Sequence, residues 1–140
     1  MIDTKPATVL AFDFGLRNIG VATGQTITRT ASEVTTLRAR DGVPDWPSVE
    51  ALIRQWQPDV LLVGLPLNMD ATMSEMAKRA TRFAKRLRAR AGIAVELVDE
   101  RLTSFEARGL SNDLDTRHAV AARLIAESYL RGLPEFAQRR

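Results

Sequence analysis

The sequence predicts an α/β fold in which one five-stranded mixed sheet carries helices on both faces. Three observations support this prediction. Three β-rich runs come first, strand-like runs then alternate with amphipathic helices, and the run Val60–Leu65 is apolar throughout. A continuous apolar run is typical of a central strand that is covered on both faces. This pattern favours a single domain spanning residues 1–140.

The first elements are three β-rich runs separated by short turns. Ala7–Phe14 is predicted as a buried strand, and Ile19–Thr23 as a second strand. Polar and apolar residues alternate in Thr26–Leu37, which suits a half-exposed third strand. Asp41–Pro44 is predicted as a turn or loop. The short spacings indicate that these three strands form an antiparallel meander.

Helices and strands alternate in the rest of the chain. Pro47–Gln57 has apolar residues at helical spacing, and a proline is tolerated in the first turn of a helix. A long helix is predicted over Ser74–Ala91, with Gly92 as its C-cap. The remaining predicted elements are strands at Val60–Leu65 and Ile93–Val98, a short helix near Ser104–Arg108 and a last helix near Thr116–Arg131. The resulting order, β-β-β-α-β-α-β-α, is that of the ribonuclease H-like fold.

The composition narrows the classes of function. The chain has no Cys and a single His, which excludes disulfides and cysteine-built zinc or iron–sulfur sites. A catalytic metal would therefore be held mostly by oxygen ligands, which favours Mg²⁺ or Mn²⁺. The sequence contains no signal-like segment and no apolar run approaching the roughly 18 residues of a membrane span. A cytoplasmic protein with no membrane partner is expected.

Two carboxylates stand at the ends of predicted strands, where open α/β sheets gather their chemistry. Asp13 ends the first strand, where a charge is costly to bury without a cation or hydrogen-bond donors. Glu100 follows Val95–Val98 in the same way. Each has a structural alternative, since Asp13 could be a turn residue before Gly15 and Glu100 could belong to a local ion-pair cluster. Together they favour a metal site.

The last predicted helix carries two further candidates. Asp115 and His118 are three residues apart, so they share a face at the head of the core-facing stripe. Asp115 could instead cap the helix, and His118 could be a hydrogen-bonded boundary residue. Two metal ions about 3.5–4 Å apart suit phosphodiester cleavage. The predicted catalytic and metal-binding residues are Asp13, Glu100, Asp115 and His118.

The positive charge of the chain is concentrated in the predicted helix Ser74–Ala91. The chain has a net charge of +3, while this helix has seven basic residues and one acidic residue. A charge run is usually a solvated face, but here acids that could pair with it are nearly absent. Phosphate contact is therefore favoured over membrane-surface binding. The predicted contacts are Lys78, Arg79, Arg82, Lys85 and Arg86.

Four motifs resemble those of the YqgF/RuvX family. They are Asp13–Ala22 (D-F-G-L-R-N-I-G-V-A), Gly64–Asp70 (G-L-P-L-N-M-D), Asp99–Ser104 (D-E-R-L-T-S) and the Ala-rich stretch Ala121–Leu130. They occur in the order of the family and extend over nearly the whole chain. This family has the ribonuclease H-like fold. It is described as a Holliday junction resolvase and as the nuclease that matures the 5′ end of pre-16S ribosomal RNA.

The resemblance implies a metal-dependent endonuclease with two Mg²⁺ or Mn²⁺ ions. Asp13 would match the family's first-strand acid and Glu100 its middle acid. The implied partner is precursor ribosomal RNA or branched DNA, with a ribosomal subunit as an additional candidate and either a monomer or a homodimer as the active form. The candidate nucleic-acid contacts within the motifs are Arg17, Asn68, Arg101 and Thr103.

One departure from the family pattern leaves the function open. The family usually has Asp three residues before its Ala-Ala pair, and this chain has His118 there. A neutral imidazole binds Mn²⁺, and Mg²⁺ less readily, or acts as a base near pH 7. The alternative to a nuclease is therefore a non-catalytic nucleic-acid- or ribosome-associated protein with a decayed metal site. A smaller departure is Ala71, where the family tends to have Gly.

Overall fold

A computed structural model of the chain describes residues 7–100 and 114–133, which form a mixed sheet with helices on both faces. The strands are β1 (Thr8–Asp13), β2 (Asn18–Gln25), β3 (Thr30–Arg40), β4 (Val43–Pro44), β5 (Val60–Leu65) and β6 (Val95–Asp99). The helices are α1 (Trp46–Trp56), α2 (Glu75–Ala91) and α3 (Leu114–Arg131). The predicted helix near Ser104–Arg108 lies outside the described residues. Across both ranges, no helix combines the length and the apolar character needed to cross a membrane.

The sheet confirms the predicted mixed topology. Its strand order is β4-β3-β2-β1-β5-β6. Strands β1 to β4 pair antiparallel in sequence order, and β5 and β6 run parallel to β1. The meander therefore supplies one half of the sheet. The alternating strands and helices supply the other half.

The sheet has six strands rather than the five that were predicted. The additional strand, β4, lies in the segment predicted as a turn or loop and pairs with the end of β3. Asp41 and Gly42 connect the two strands with φ angles of 51° and 82°. Positive φ at both residues of a two-residue connection is the conformation that an Asp-Gly pair favours in tight hairpins. The hairpin was missed because β4 is only two residues long.

Side chains of β1 alternate between two cores, because successive residues of a strand point to opposite faces. Phe12 and Phe14 belong to the larger core, which contains Phe83 and Leu87 of α2. Val9 and Ala11 pack with side chains of α3 on the other face. Asp13 continues this second row. The alternation therefore directs the terminal carboxylate of β1 towards α3.

Helix α2 begins and ends at the predicted residues. The Ser74 hydroxyl accepts a hydrogen bond from the Ala77 N–H at 2.9 Å and donates one to the Pro66 carbonyl at 2.6 Å. The first bond is a standard N-cap. The second ties the helix start to the chain just beyond β5. Gly92, with φ of 71°, ends the helix as its C-cap.

Helix α3 lies directly against β2 at Gly20. A Cβ atom there would overlap the His118 carbonyl oxygen and would lie 2.8 Å from the backbone nitrogen of Ala119. Both atoms belong to the helix backbone, which cannot rotate away as a side chain can. The absence of a side chain at Gly20 therefore sets how closely α3, and with it His118, approaches the sheet.

We predict that Gly20→Ala lowers the free energy of unfolding by about 3 kcal/mol, because added volume against a backbone is costly in a packed interior. Gly132→Ala is the matched control, since a Cβ there would meet only ordinary contacts at 3.5 Å and beyond. That control should change stability by less than about 0.5 kcal/mol. Chemical denaturation of both variants measures the difference. Equal stability of the two would contradict the close-packing interpretation.

Candidate active site

Two acidic side chains meet at the carboxyl edge of the parallel strands. Asp13 is the last residue of β1, and Glu100 comes directly after β6. Strand β5 lies between β1 and β6, and all three run parallel. Asp13 is only 9% exposed and Glu100 only 6%. The structure thus brings together, in a buried position, the two acids predicted from the strand ends.

Gly64 of β5 makes room for the Glu100 side chain. A Cβ atom at Gly64 would overlap Glu100 Oε2 and lie 2.5 Å from the Cδ1 atom of Ile125 on α3. Without that atom, the Glu100 carboxyl group crosses β5 and hydrogen-bonds with Asp13. The glycine between the two acidic strands is therefore what allows the acids to touch.

This arrangement favours the protonated form of Glu100. Burial is the largest cause, and the charge of Asp13, the hydrogen bond to Asp13 and the charge of Asp99 add to it. Together they raise the pKa of Glu100 from 4.5 to about 8. Like charges in a buried pair cannot both ionise cheaply, so one proton is shared. Protonation of Glu100 removes one of the two charges from the buried pair.

The single histidine lies against the same carboxylate. His118 Nδ1 is 3.1 Å from Asp13 Oδ2, a hydrogen-bond distance whose donor depends on the imidazole tautomer. The ring also lies beside the loop after β1, because a Cβ at Gly15 would be 3.4 Å from His118 Cε1. Asp115 is in the first turn of α3, one helical turn before His118. Its side chain is outside the described part of the structure.

The donor set suits a hard divalent cation but is incomplete in the described residues. Asp13 and Glu100 supply carboxylate oxygens, which Mg²⁺ and Mn²⁺ prefer. A cation between them would replace the shared proton and relieve the repulsion between the two charges. Within the described ranges, no cluster of three or more potential ligand side chains could hold a metal ion. The pair therefore fits part of a metal site.

The basic helix lies on the opposite face of the sheet from α3. Arg79 is partly buried and its Nη1 lies 3.5 Å from Asp41 Oδ1. Four other predicted contacts are exposed and have no carboxylate partner among the described residues: Lys78, Arg82, Lys85 and Arg86. Because α2 starts just beyond β5, its first turns lie near the edge that carries Asp13 and Glu100.

The other predicted contacts within the described residues, Arg17 and Asn68, lie in loops. Arg17 is exposed in the loop between β1 and β2. Asn68 is exposed, but its amide donates to the Thr72 hydroxyl at 3.0 Å, so it also organises its own loop. In that loop Ala71 has a φ of 70°, a backbone conformation that favours glycine. Arg101 and Thr103 lie outside the described residues.

Asp41 and Gly42 were not among the predicted site residues. The β3–β4 turn brings Asp41 and Gly42 to a cleft beside Arg79, Arg82 and Arg86 of α2. The Asp-Gly pair was the available signal, because this dipeptide between β-rich segments indicates a tight hairpin. The sequence could not indicate that the turn would face α2, which begins more than thirty residues later.

A mixed sheet of this topology with helices on both faces is a ribonuclease H-like fold. The chain belongs to the RuvX family, whose model, described as Holliday junction resolvase, matches residues 7–132. The fold is similar to that of Thermus thermophilus RuvC in complex with a Holliday junction substrate. That comparison gives a TM-score of 0.55 at 13% identity and covers 89% of this chain and 96% of RuvC.

Curated relatives resemble the chain over nearly its full length. A protein of Marinobacter nauticus is 52% identical, with 94% of this chain and 97% of the relative covered. A protein of Azotobacter vinelandii is 50% identical, with 92% and 96% covered. Both bear the name "Putative pre-16S rRNA nuclease". The resemblance predicted from the four motifs is confirmed.

We predict that the free energy of unfolding decreases as the pH rises from about 4.5 to about 8, because the folded state retains the Glu100 proton longer than the unfolded chain does. The stabilisation contributed by the Glu100 proton is fully present below pH 4.5 and is lost as the pH rises through about 8. Glu100→Gln should remove this slope, and the exposed Glu75→Gln should retain it. Denaturation across this pH range in metal-free buffer provides the measurement. An unchanged slope in Glu100→Gln would exclude Glu100 as its source.

Proposed function

We propose that the chain is a divalent-metal-dependent endonuclease that hydrolyses phosphodiester bonds in structured nucleic acid. The observation that carries this proposal is the buried Asp13–Glu100 pair at the carboxyl edge of a RuvX-family sheet. Buried acids that share a proton form a ready site for a cation, and phosphodiester hydrolysis is a reaction that such cations promote. The names of the relatives add the substrate class, a precursor of ribosomal RNA.

Two ions are proposed, which Asp13 and Glu100 would hold, with His118 or Asp115 completing the set. When bound, such ions supply an activated water and stabilise the leaving oxygen. The chain itself holds the two carboxyl groups buried and close together. The acids are thereby organised before the cation arrives, so little reorganisation accompanies binding.

His118 is proposed to orient the Asp13 carboxylate. Its Nδ1 atom lies 3.1 Å from Asp13 Oδ2, at hydrogen-bond distance. An imidazole in this position also offers a nitrogen ligand, which suits Mn²⁺ better than Mg²⁺. The proposed preference is therefore for Mn²⁺.

The basic surface of α2 is proposed to bind the nucleic-acid backbone. Arg79 pairs with Asp41 and Arg90 with Glu50. The exposed side chains without an acidic partner among the described residues, whose charges are available to phosphates, include Lys78, Arg82, Lys85 and Arg86. Binding of this kind is independent of sequence and weakens as salt rises. Precursor ribosomal RNA is the favoured substrate and a four-way DNA junction the second one. A monomer suffices for single cuts, whereas paired cuts at a junction need two sites, as in a homodimer.

We also propose a cytoplasmic location, because precursor ribosomal RNA is made inside the cell. A ribosomal subunit that carries the precursor end is then an additional partner. This extension rests on the names of the relatives. It is independent of the chemistry at Asp13.

We predict that the purified chain cuts a 5′-extended 16S precursor RNA, and more weakly a four-way DNA junction, only with Mn²⁺ or Mg²⁺ present. Asp13→Asn should lower the cleavage rate at least about 100-fold, because it removes a carboxylate that would hold the ions. Asp45→Asn is the control, since Asp45 is an exposed acid that bonds to Ser48 instead of the site. Gel assays of labelled substrates measure the rates. If wild type and Asp13→Asn cut alike, the activity comes from a contaminant.

The second candidate function is a non-catalytic nucleic-acid-binding protein with a decayed site. The observation in its favour is His118, which stands where an acid is expected and leaves the described ligand set incomplete. This candidate retains the basic surface and the fold. It differs from the nuclease only in turnover.

We predict that His118→Asp raises Mg²⁺-dependent cleavage by about tenfold if the site is active, because a third oxygen ligand suits Mg²⁺ better than an imidazole. His118→Asn is the matched control, which removes the imidazole without adding a carboxylate. It should give no gain. Initial rates of cleavage over a range of Mg²⁺ concentrations separate these cases. No turnover in either variant or in the wild type would favour the decayed site.

A further inference from the structure

A cleft lies between α2 and the β3–β4 turn, on the face of the sheet opposite to α3. One wall carries three guanidinium groups, those of Arg79, Arg82 and Arg86. The other wall is the turn itself, at Asp41 and Gly42. Three arginines and one aspartate therefore line the cleft, and Arg79 is the arginine in contact with that aspartate.

The wall formed by the turn is firmly attached to the end of β1. The Gly42 N–H donates to the Leu16 carbonyl at 2.8 Å, and a Cβ at Gly42 would lie 2.8 Å from the Phe14 ring. Phe14 lines the cleft and directly follows Asp13 in the chain. The cleft is thus built onto the same strand end that carries the catalytic candidate.

The three arginines form one row along α2. Their positions, at steps of three and four residues, place them on one face of the helix. The row extends about 10 Å along the axis, at 1.5 Å per residue. Charges on one strand of a duplex recur about every 3.4 Å of axis, so a row of this length can contact more than one phosphate.

The positive charges in the cleft are only partly neutralised by acidic side chains. Arg79 lies 3.5 Å from Asp41, whose side chain is 78% exposed. An exposed pair at this distance contributes little to stability and is easily exchanged. Arg82 and Arg86 have no acidic partner within the described ranges. The cleft therefore has an excess of positive charge.

The aromatic floor of the cleft is already engaged. Trp46 stacks on Phe83 with ring centroids 5.7 Å apart, and the Arg90 guanidinium lies 4.6 Å from the Trp46 centroid. Nucleic-acid-binding proteins that read unpaired bases stack them on accessible aromatic rings. Here the rings pack against each other and against Arg90 instead. The contacts that the cleft offers to a ligand are therefore ionic.

We propose that this cleft binds successive phosphodiesters of the substrate strand that runs past Asp13, and that a phosphate displaces Asp41 from Arg79 on binding. The proposal rests on the proposed function, because it takes the occupant to be the nucleic acid that is cut. Asp41 acts as a built-in competitor of phosphate. It lowers the affinity of the cleft for the backbone and is released when the strand enters.

The test compares two variants that remove one arginine each from α2. Arg82→Gln removes a cleft residue. Arg88→Gln removes the same charge from a position that points to another side of the helix and does not line the cleft. Both are made in full-length Asp13→Asn protein, so that the probes remain uncut. The probes are a labelled RNA stem and a labelled four-way DNA junction, and binding is followed by fluorescence anisotropy between about 50 and 200 mM salt.

Arg82→Gln should weaken binding about fivefold and reduce the slope of log affinity against log salt by about 0.9, the value for one lost phosphate contact. Arg88→Gln should weaken binding less than about twofold and leave the slope unchanged. Equal losses from the two variants would overturn the proposal, because α2 would then act as a diffuse positive surface.

A third variant tests whether Asp41 competes with phosphate for Arg79. Asp41→Asn should strengthen binding about threefold at the lower salt concentration, because Arg79 no longer has a carboxylate to release. Weaker or unchanged binding would overturn the role of Asp41. The proposed function can fail separately, through lack of metal-dependent cleavage by the wild type. If the wild type cleaves its substrate but the Arg82 and Arg88 variants bind equally well, the proposed nuclease function is retained and the proposed role of the cleft is rejected.

Discussion

The burial of two like charges side by side is the constraint on which this structure depends. Asp13 and Glu100 can touch only because Gly64 leaves the strand between them without a side chain. Burial and mutual repulsion then keep a proton on Glu100 near neutral pH. A cation bound beside them would offset this repulsion. The proposal of a nuclease site at this sheet edge rests on that pairing.

The two faces of the sheet carry different groups of residues. One face brings α3 close to β2 at Gly20, which sets His118 against Asp13. The other face carries α2, whose apolar side packs into the larger core while its cationic side chains remain in solvent. Both helices approach the carboxyl edge of the parallel strands. A strand of nucleic acid that crosses this edge would contact the acids on one face and the arginines on the other.

Local patterns predicted most of the fold but not every strand or contact. The apolar run Val60–Leu65 became the predicted strand, and α2 is capped by Ser74 and Gly92 as its termini indicated. The strand β4 was missed because two residues carry no period that a pattern can detect. The edges of β3 also differ, since residues 26–29 form the turn from β2 instead of its beginning. Propensity and periodicity act over a few residues. Where a strand begins and ends is decided by its pairing with the neighbouring strand.

The sequence by itself determined that acids follow two strands, that the positive charge is concentrated in one helix, and that the chain resembles the RuvX family. Only the tertiary structure decided that Glu100 reaches Asp13 across β5, that His118 Nδ1 lies against Asp13, and that Asp41 faces Arg79. Each of these contacts joins residues that are far apart in the chain. Their distances depend on how closely backbones pack at glycines and turns, and no local pattern of residue types encodes that.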